Sequence, residues 1–564
     1  MKTFWTTFYS YKGGVGRSLA LANVAATLVS RGNKVVLLDF DLEAPSLDSF
    51  AEFSEAKGKP GIVEYVAEFE RQQSAPPIDS YVHPVHMPDY LRGKLWIMPA
   101  GRKDSDYSHA LSEIRWAQLY DKGLGAPFIE NWKLSIEQTF HPDYVLIDSR
   151  TGLTEVGGVC TTAFPDLVVM MFGLNDQNVQ GTATVARHIR EANLERSPQM
   201  HFVATPIPNL PPDKDGTLMQ RLAVAEKALG MEIGQSVIHY WAPAALAERL
   251  FALDNALAET AIVRDHVALA NRITKFNRNG LDFLTVQAED AMKNGDASLV
   301  SKLSELLVSE FPERAESLYV QANLARYLGR HDDALRLLEE AFVIDPAYEY
   351  PLDLLLAHHT RIRQDARIEE ILKTALNQGN RISPTRKIRL SDRLAQHYMA
   401  SGKYELAASQ YKALFEQYKG TELEQAPVIE HLRARFNTFE SFRRSGRSVK
   451  QDAWLVIIKL FETTPTIEGQ GTVTANRYEA MHIPYALTGA IEKAKECLHK
   501  SRRLAATLNE VETVFTVRDY RPVSPSAFIE ISQQLLAALD KGELWDGTKL
   551  HSTKSGSKNV SKPQ

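Results

Sequence analysis

Two patterns of apolar residues divide the 564-residue chain. Up to about residue 275, short apolar runs alternate with longer helical segments, and several runs are continuous, as in a sheet that is buried on both faces. The predicted strands cover residues 3–10, 34–40, 94–100, 143–149, 166–173 and 201–207. This alternation predicts an α/β domain over residues 1–275, built on a doubly wound, mainly parallel sheet.

After about residue 280 the strand pattern gives way to a helical repeat. Residues of one type recur 34 positions apart, in the pairs Gly295 and Gly329, Ala288 and Ala322, and Pro312 and Pro346. This period is that of the tetratricopeptide repeat, a helix–turn–helix unit. We therefore predict an all-α, tetratricopeptide-like helical solenoid over residues 281–546, followed by a disordered polar tail over 547–564.

The repeat is uneven along the predicted solenoid. The unit at 349–382 is degenerate and is followed by an insertion of about five residues, and 388–421 then repeats the pattern. After about residue 425 an irregular helical bundle stays open as the alternative to further repeats.

Composition narrows the class of protein. The net charge of −5 argues against a generally basic, nucleic-acid-coating protein, although a local basic patch is compatible with it. Only two cysteines occur, Cys160 and Cys497, which favours a reducing compartment. No apolar stretch has the length of a membrane span, and the N-terminus does not resemble a signal peptide. We expect a soluble, cytoplasmic protein that does not bind a membrane.

A glycine-rich loop, "YKGGVGRS" (11–18), lies between the first predicted strand and a helical segment. Such a loop lets backbone N–H groups converge on phosphate oxygens, and the helix N-terminus adds a partial positive charge. Ser18 would present its hydroxyl to Mg²⁺, and Arg17 would reach the phosphates. The usual pattern G-x-x-x-x-G-K-[ST] is not fully met, because Tyr11 replaces the first glycine and Arg17 replaces the lysine. A tight turn without a ligand is the alternative.

Carboxylates follow two of the predicted strands directly. Asp39 and Asp41 lie at the C-terminal edge of the strand at 34–40, and Asp148 lies at the C-terminal edge of the strand at 143–149. In a parallel sheet these ends share one edge with the glycine-rich loop, where ligands bind. A carboxylate there needs water or a charged partner, and Mg²⁺ with phosphate would supply that partner. Each aspartate alone could also be a turn cap.

The three motifs "KGGVGRS", "DFDLEAPS" and "IDSRTG" together resemble the deviant Walker A ATPases of the ParA/MinD superfamily. The likeness is greatest to bacterial members that carry KGGVGR loops and C-terminal tetratricopeptide repeats, and it covers roughly residues 1–275. The resemblance implies a P-loop NTPase fold and an ATP-dependent homodimer that encloses ATP and Mg²⁺ between two subunits. It also implies ATP hydrolysis.

The resemblance also implies roles for individual residues. Lys12 would neutralise charge on the phosphates bound by the partner subunit. Asp41 would position the attacking water, and Asp148 would complete the catalytic set. Mg²⁺ would be held by Ser18, with Asp39 and Asp148 near its waters. The implied nucleotide-binding residues are Lys12, Gly13, Gly14, Val15, Gly16, Arg17, Ser18 and Leu19, with Pro206, Pro208 and Asn209 near the adenine.

Two residues depart from the family pattern. Arg17 is bulkier than lysine and planar, so it need not act as the same point charge. Arg150 replaces a proline that is common in the turn after Asp148, and it could be a phosphate ligand or a surface residue. These departures predict slow hydrolysis.

The leading hypothesis is therefore a dimeric ATPase switch whose repeat domain engages a protein partner. The alternatives are a scaffold that binds nucleotide without turnover, and a partitioning-type ATPase that acts on DNA. For the latter, the basic segment 431–447 is either a DNA-binding patch or a solvated helix face.

Overall fold

The fold is described from a computed structural model. It describes residues 2–88, 91–114, 116, 125–192, 197–208, 216–246, 248–254, 257, 260–382, 384–418, 429–464 and 471–552. The chain forms two compact units. One comprises Met1–Asp345 and Gly379–Ser383, and the other comprises Pro346–Gln378 and Pro384–Gln564. The first unit thus continues beyond the predicted boundary at residue 275.

An eight-stranded sheet forms the centre of the first unit, in the order β3-β4-β2-β5-β1-β6-β7-β8. Every neighbouring pair is parallel except β3 and β4, so the predicted doubly wound, mainly parallel sheet is confirmed. Its strands are β1 (Phe4–Ser10), β2 (Lys34–Asp39), β3 (His83–Val85), β4 (Lys94–Met98), β5 (Tyr144–Asp148), β6 (Leu167–Phe172), β7 (Gln199–Ile207) and β8 (Val237–His239).

Helices cover both faces of this sheet, which explains why its strands are continuous apolar runs. In β2, Val35 and Leu37 pack into the core beneath α1 and α8, whereas Val36 and Leu38 pack into a second core beneath α2 and α4. The helices are α1 (Arg17–Ser30), α2 (Ile62–Gln72), α3 (Tyr107–Glu113), α4 (Gly125–Phe140), α5 (Glu155–Thr162), α6 (Asp176–Glu191), α7 (Thr217–Leu229) and α8 (Ala261–Phe276).

Helices dominate the chain after residue 280, as predicted. They are α9 (Leu281–Lys293), α10 (Ala297–Glu310), α11 (Ala315–Tyr327), α12 (His331–Ile344), α13 (Glu349–Arg361), α14 (Asp365–Leu376), α15 (Pro384–Ala400), α16 (Tyr404–Tyr418), α17 (Ile429–Arg444), α18 (Gln451–Thr463), α19 (Gly471–Leu487), α20 (Ile491–Ala505) and α21 (Pro525–Asp540). Three consecutive pairs, from α9 to α14, begin 34 residues apart.

The extra residues predicted after position 382 form the start of a longer helix. Helix α15 begins at Pro384, close to the 34-residue register, but it is 17 residues long, whereas α13 has 13. The lengthening therefore falls inside the first helix of the pair rather than in a separate loop. It shifts the following turn to Gly402.

The turn between the helices of a pair needs a left-handed residue. Gly295 and Gly329 have φ of 73° and 74° there, and Arg363 occupies the same position in the degenerate unit with φ of 57°. A side chain with a Cβ is strained in this conformation, whereas glycine adopts it freely. The degenerate unit keeps the turn geometry without the residue that favours it.

Replacing Arg363 with glycine is therefore expected to stabilise the second unit by about 1 kcal/mol. Arg363 is exposed, so little packing is lost. Denaturant unfolding of the full chain checks this. The control Glu370→Gly, in the interior of α14, should cost about 1 kcal/mol, because glycine is unfavourable in a helix. Destabilisation by both variants would contradict the assignment.

Four short strands near the C-terminus are absent from the sequence prediction. β9 (Val514–Thr516) pairs antiparallel with β10 (Arg521–Val523), and β11 (Glu543–Trp545) pairs with β12 (Leu550–Ser552). Strand β12 lies in the segment predicted to be disordered from residue 547, and the rest of that segment from 553 is outside the described residues. None of the helices in the described ranges combines the length and the apolar character that a bilayer span requires.

Candidate functional site

The glycine-rich loop leads directly from the central strand β1 into α1. Gly14 and Gly16 have φ of 78° and 75°, and the hydroxyl of Thr205 donates a hydrogen bond to the carbonyl of Val15 at 3.2 Å. Helix α1 then begins at Arg17 with no acidic residue in its first turn. The free N–H groups and dipole of this helix start favour an anion such as phosphate.

A cavity of about 300 Å³ opens at this loop. Its lining combines the predicted loop with residues from both acidic motifs and from the segment after β8. The lining residues are Ser10, Gly13, Gly14, Val15, Gly16, Arg17, Ser18, Leu19, Asp41, Ser46, Phe50, Thr151, Ala244 and Glu248. The structure therefore brings the predicted loop and one predicted carboxylate to a single cavity.

The three predicted carboxylates lie close together at the carboxyl edge of the sheet. Asp39 of β2 and Asp148 of β5 are cross-strand partners, and both are fully buried. Asp39 accepts hydrogen bonds from the backbone amides of Asp41 and Leu47, at 3.3 and 3.4 Å. Burial, followed by the charges of Asp148 and Asp41, raises the pKa of Asp39 well above its usual value. The cluster therefore needs a positive partner.

Arg17 supplies that partner within the chain. Its Nε donates to Oδ1 of Asp148 at 2.5 Å, and its Nη2 donates to Oδ2 of Asp41 at 2.8 Å. Burial alone would lower the pKa of Arg17, but the two carboxylates outweigh it and raise that pKa. Arg17 thus bridges the carboxylate of Asp148 in β5 and that of Asp41 just after β2, a contact that the sequence did not predict.

One oxygen of this carboxylate cluster is left without a hydrogen bond within the described part of the chain. Oδ2 of Asp148 is buried and, among the described residues, has no hydrogen-bond partner. Burial raises the pKa of Asp148, and the charge of Arg17 and the hydroxyl of Ser18 oppose that rise. No group of three or more histidine, cysteine or acidic residues suited to a metal occurs in the described ranges. A hydroxyl beside a carboxylate instead fits Mg²⁺, which is commonly held by few protein oxygens together with phosphates and water.

Several predicted residues lie outside the cavity lining. Lys12 is exposed, with its Nζ 5.7 Å from the centre of the Tyr11 ring. Pro206 and Pro208 are exposed at the end of β7, and Asn209 lies outside the described residues. Arg150 forms a two-point ion pair with Glu43, at 2.5 Å for both contacts, so its guanidinium is engaged by a carboxylate.

The prediction missed six lining residues. Ser46 and Thr151 belong to the acidic motifs themselves, and their hydroxyls could have been noticed there. Ala244 and Glu248 come from the segment after β8, whose position beside the loop only the strand order reveals. Ser10 ends β1, and Phe50 is a buried core residue without a chemical signal.

The opposite end of α1 is held by the helical region of the same unit. Arg314, which directly precedes α11, donates to the carbonyls of Arg31 and Gly32 at 2.8 and 3.3 Å. A cation at a helix C-terminus satisfies free carbonyls and complements the helix dipole. Helix α1 therefore joins the glycine-rich loop at its start to the first helical pairs at its end.

The basic segment 431–447 is largely structural in the second unit. Arg444 is buried, pairs with Glu440 at 2.7 Å and donates to the carbonyls of Val517 and Arg518. Arg443 also pairs with Glu440 and donates to the carbonyl of Trp545. These two arginines hold the C-terminal strands, so neither is free to bind a DNA backbone in this conformation.

Comparison with known proteins finds a similarity to one family in the N-terminal part of the first unit. A family model described as ParA, NUBPL iron-transfer P-loop NTPase, matches residues 5–81. This stretch contains the glycine-rich loop, α1, Asp39 and Asp41, and it ends before Asp148. No curated protein matches the chain.

Solved structures match over about half of the chain. A ParA family ATPase from Chlorobium tepidum is 14% identical, with 48% of this chain and 98% of that chain covered and a TM-score of 0.36. The cell division ATPase MinD from Pyrococcus furiosus is 17% identical, with 49% and 99% covered and a TM-score of 0.36. MinD from Pyrococcus horikoshii, complexed with Mg-ADP, is 17% identical, with 50% and 99% covered and a TM-score of 0.35. By its family-model match, the loop-bearing part of the first unit is similar to the ParA-type P-loop NTPases.

Proposed function

We propose that this chain is an ATP-binding switch that forms a dimer and hydrolyses ATP slowly. The sheet domain, residues 1–275, would bind and hydrolyse ATP in the cytoplasm. The helical region, residues 281–546, would act as tetratricopeptide-like repeats that engage a protein partner. The observation that carries the proposal is the single cavity in which the glycine-rich loop, the start of α1 and Asp41 meet.

The residues of the site fit ATP with Mg²⁺. The N–H groups from Gly13 to Ser18 would bind the phosphates, and Ser18 would bind the metal, with Asp39 and Asp148 near its waters. When bound, Mg²⁺ would neutralise charge on the transferring phosphoryl group. Asp41 lines the cavity and would orient the attacking water. Lys12, exposed at the start of the loop, would reach the nucleotide of the partner subunit.

Arg17 supports slow rather than rapid turnover. It is bonded to both Asp41 and Asp148, so a phosphate that recruits this guanidinium must compete with two carboxylates. Asp41 is likewise engaged by Arg17 before any water is oriented. Each catalytic cycle would therefore include a rearrangement of buried ion pairs, which adds to the barrier.

The contact between Arg314 and the end of α1 supports transmission to the helical region. Helix α1 is almost entirely buried, so a displacement at its loop end would move the helix as a body. At the other end of that helix, Arg314 donates a hydrogen bond to the carbonyl of Arg31. A change of nucleotide would then alter the position of α11 and, with it, the surface that the helices of the first unit present to a partner.

Replacing Ser18 with alanine tests the site directly. We expect the affinity for ATP in the presence of Mg²⁺ to fall about tenfold or more, as for the loss of an interaction with a charged group. The affinity measured with excess chelator should change little. Titration calorimetry with and without Mg²⁺ checks this, with Ser112→Ala, an exposed serine of α3, as the control. Equal Mg²⁺ dependence in all three proteins would contradict the assignment.

The second candidate is a scaffold that binds nucleotide without turnover. The engagement of Asp41 by Arg17 favours it, since a permanently paired Asp41 could not orient water. Phosphate release by the purified full-length chain separates the two functions. Tight Mg²⁺-dependent binding with release no faster than that of free ATP would establish the scaffold.

A further inference from the structure

Helix α6 has a gap in its surface at Gly181, which we call the Gly181 notch. The ring of Tyr11 packs into this notch; Tyr11 is the residue that replaces the first glycine of the usual loop pattern. Gly181 lies in the middle of α6, and a Cβ added there would be 2.1 Å from Cδ1 and 2.3 Å from Cε1 of the Tyr11 ring. Real Cβ atoms essentially never approach other atoms so closely. The ring therefore occupies the space that a side chain at position 181 would need.

Glycine inside a helix needs a reason, because it is the least favourable residue there apart from proline. The three atoms nearest to the added Cβ all belong to Tyr11. The ring also packs against the core formed by β6, β7 and α6, which includes Tyr9 and Val179. The Tyr11 ring thus fills the space that the missing side chain of Gly181 leaves free.

This packing bears on the neighbouring Lys12. Its ammonium lies 5.7 Å from the centre of the Tyr11 ring, within the range of a cation–π interaction. Lys12 is otherwise exposed and lies outside the lining of the cavity in its own subunit. A long, exposed lysine would sample many rotamers, so an adjacent fixed aromatic face restricts where its ammonium goes.

We propose that Tyr11, held in the Gly181 notch, is a positioning residue for Lys12. The ring orders the backbone at the start of the loop, and its face directs the ammonium away from the cavity of its own subunit. Helix α6 thereby contributes to the reaction through Tyr11 and Lys12, although none of its residues lines the cavity. The inference rests on the proposed role of Lys12 in ATP hydrolysis.

A double-mutant cycle in the full-length chain tests this inference. We expect Gly181→Ala and Tyr11→Gly each to lower single-turnover phosphate release about tenfold, with the Mg²⁺-ATP affinity unchanged. Tyr11→Phe keeps the ring and should stay within about twofold of the unmodified chain. The double variant should also be lowered about tenfold rather than about a hundredfold, because alanine at 181 has no ring to displace once Tyr11 is glycine. The control is Gly158→Ala in α5, where an added Cβ has no atom within 4 Å.

The melting temperature provides a readout that does not depend on catalysis. Gly181→Ala should lower the melting temperature of the unmodified chain. In the Tyr11→Gly chain, the same substitution should lower the melting temperature little further. If this thermal coupling is present but Gly181→Ala turns over at the unmodified rate, the positioning role is wrong. Multiplicative losses in the double variant would also overturn it. No turnover by the unmodified chain overturns the proposed hydrolysis instead, and the thermal cycle then still decides whether the notch exists.

Discussion

Replacing Lys12 with alanine is expected to lower ATP turnover by about 10³-fold while leaving the fold intact. A cation that neutralises the transferring phosphoryl group typically contributes 10³–10⁵ in rate, whereas an exposed side chain contributes little to stability. Lys12 is exposed at the start of the loop, where its removal leaves no buried group unpaired. Single-turnover phosphate release with saturating Mg²⁺-ATP measures the effect.

The matched control is Lys57→Ala, an exposed lysine outside the cavity lining, which should retain full turnover. A mixing experiment then tests whether Lys12 acts across the dimer. In a mixed dimer of Lys12→Ala and Asp41→Ala subunits, the intact Asp41 of one subunit would meet the intact Lys12 of the other. Partial recovery of turnover on mixing two inactive variants is the expected result. No recovery in mixed dimers would show that Lys12 acts within its own subunit or not at all.

Replacing Arg17 with alanine should destabilise the first unit by about 3–5 kcal/mol, because it leaves buried carboxylates without their cation. Asp148 is fully buried and Asp41 largely so, and Asp39 adds a third carboxylate beside them. Hydrogen–deuterium exchange of the β1, β2 and β5 amides measures this loss separately from the second unit. Adding Asp148→Asn should restore part of it, since it removes one uncompensated charge.

Arg150→Ala is the matched control for Arg17. It breaks an ion pair whose Glu43 side chain is 56% exposed, so its cost should not exceed about 1 kcal/mol. The two arginines that depart from the family pattern would then differ in kind, one compensating a buried cluster and the other a surface pair. Equal losses from the two substitutions would contradict the burial argument for Arg17.

The sequence predicted the parts of this site that depend on local order along the chain. A glycine-rich loop after an apolar strand and aspartates at two strand ends are local patterns, and the parallel sheet brings them to one edge. The contact of Arg17 with Asp41 and Asp148 is not local. It depends on the placement of β5 between β2 and β1, which no spacing in the sequence specifies.

In the helical region, too, the sequence predicted the local elements but not the contacts between distant residues. A strict period of 34 residues identified the helix pairs from α9 to α14, because each pair packs against its neighbours in a similar way. The arginines of segment 431–447 read as a solvated or DNA-binding face in isolation. Only the folded chain places the turn after β9 and strand β11 against Arg444 and Arg443, which gives those charges an internal role.

By itself the sequence determined the α/β and helical parts, the loop and the carboxylates, because periodicity and strand ends are encoded locally. The tertiary structure decided which of these groups meet. It paired Arg17 with two aspartates, placed Tyr11 in the notch at Gly181, and fixed Arg314 to the end of α1. Those contacts join residues far apart along the chain, and they form because burial requires each charge to find a partner and each ring to find a space.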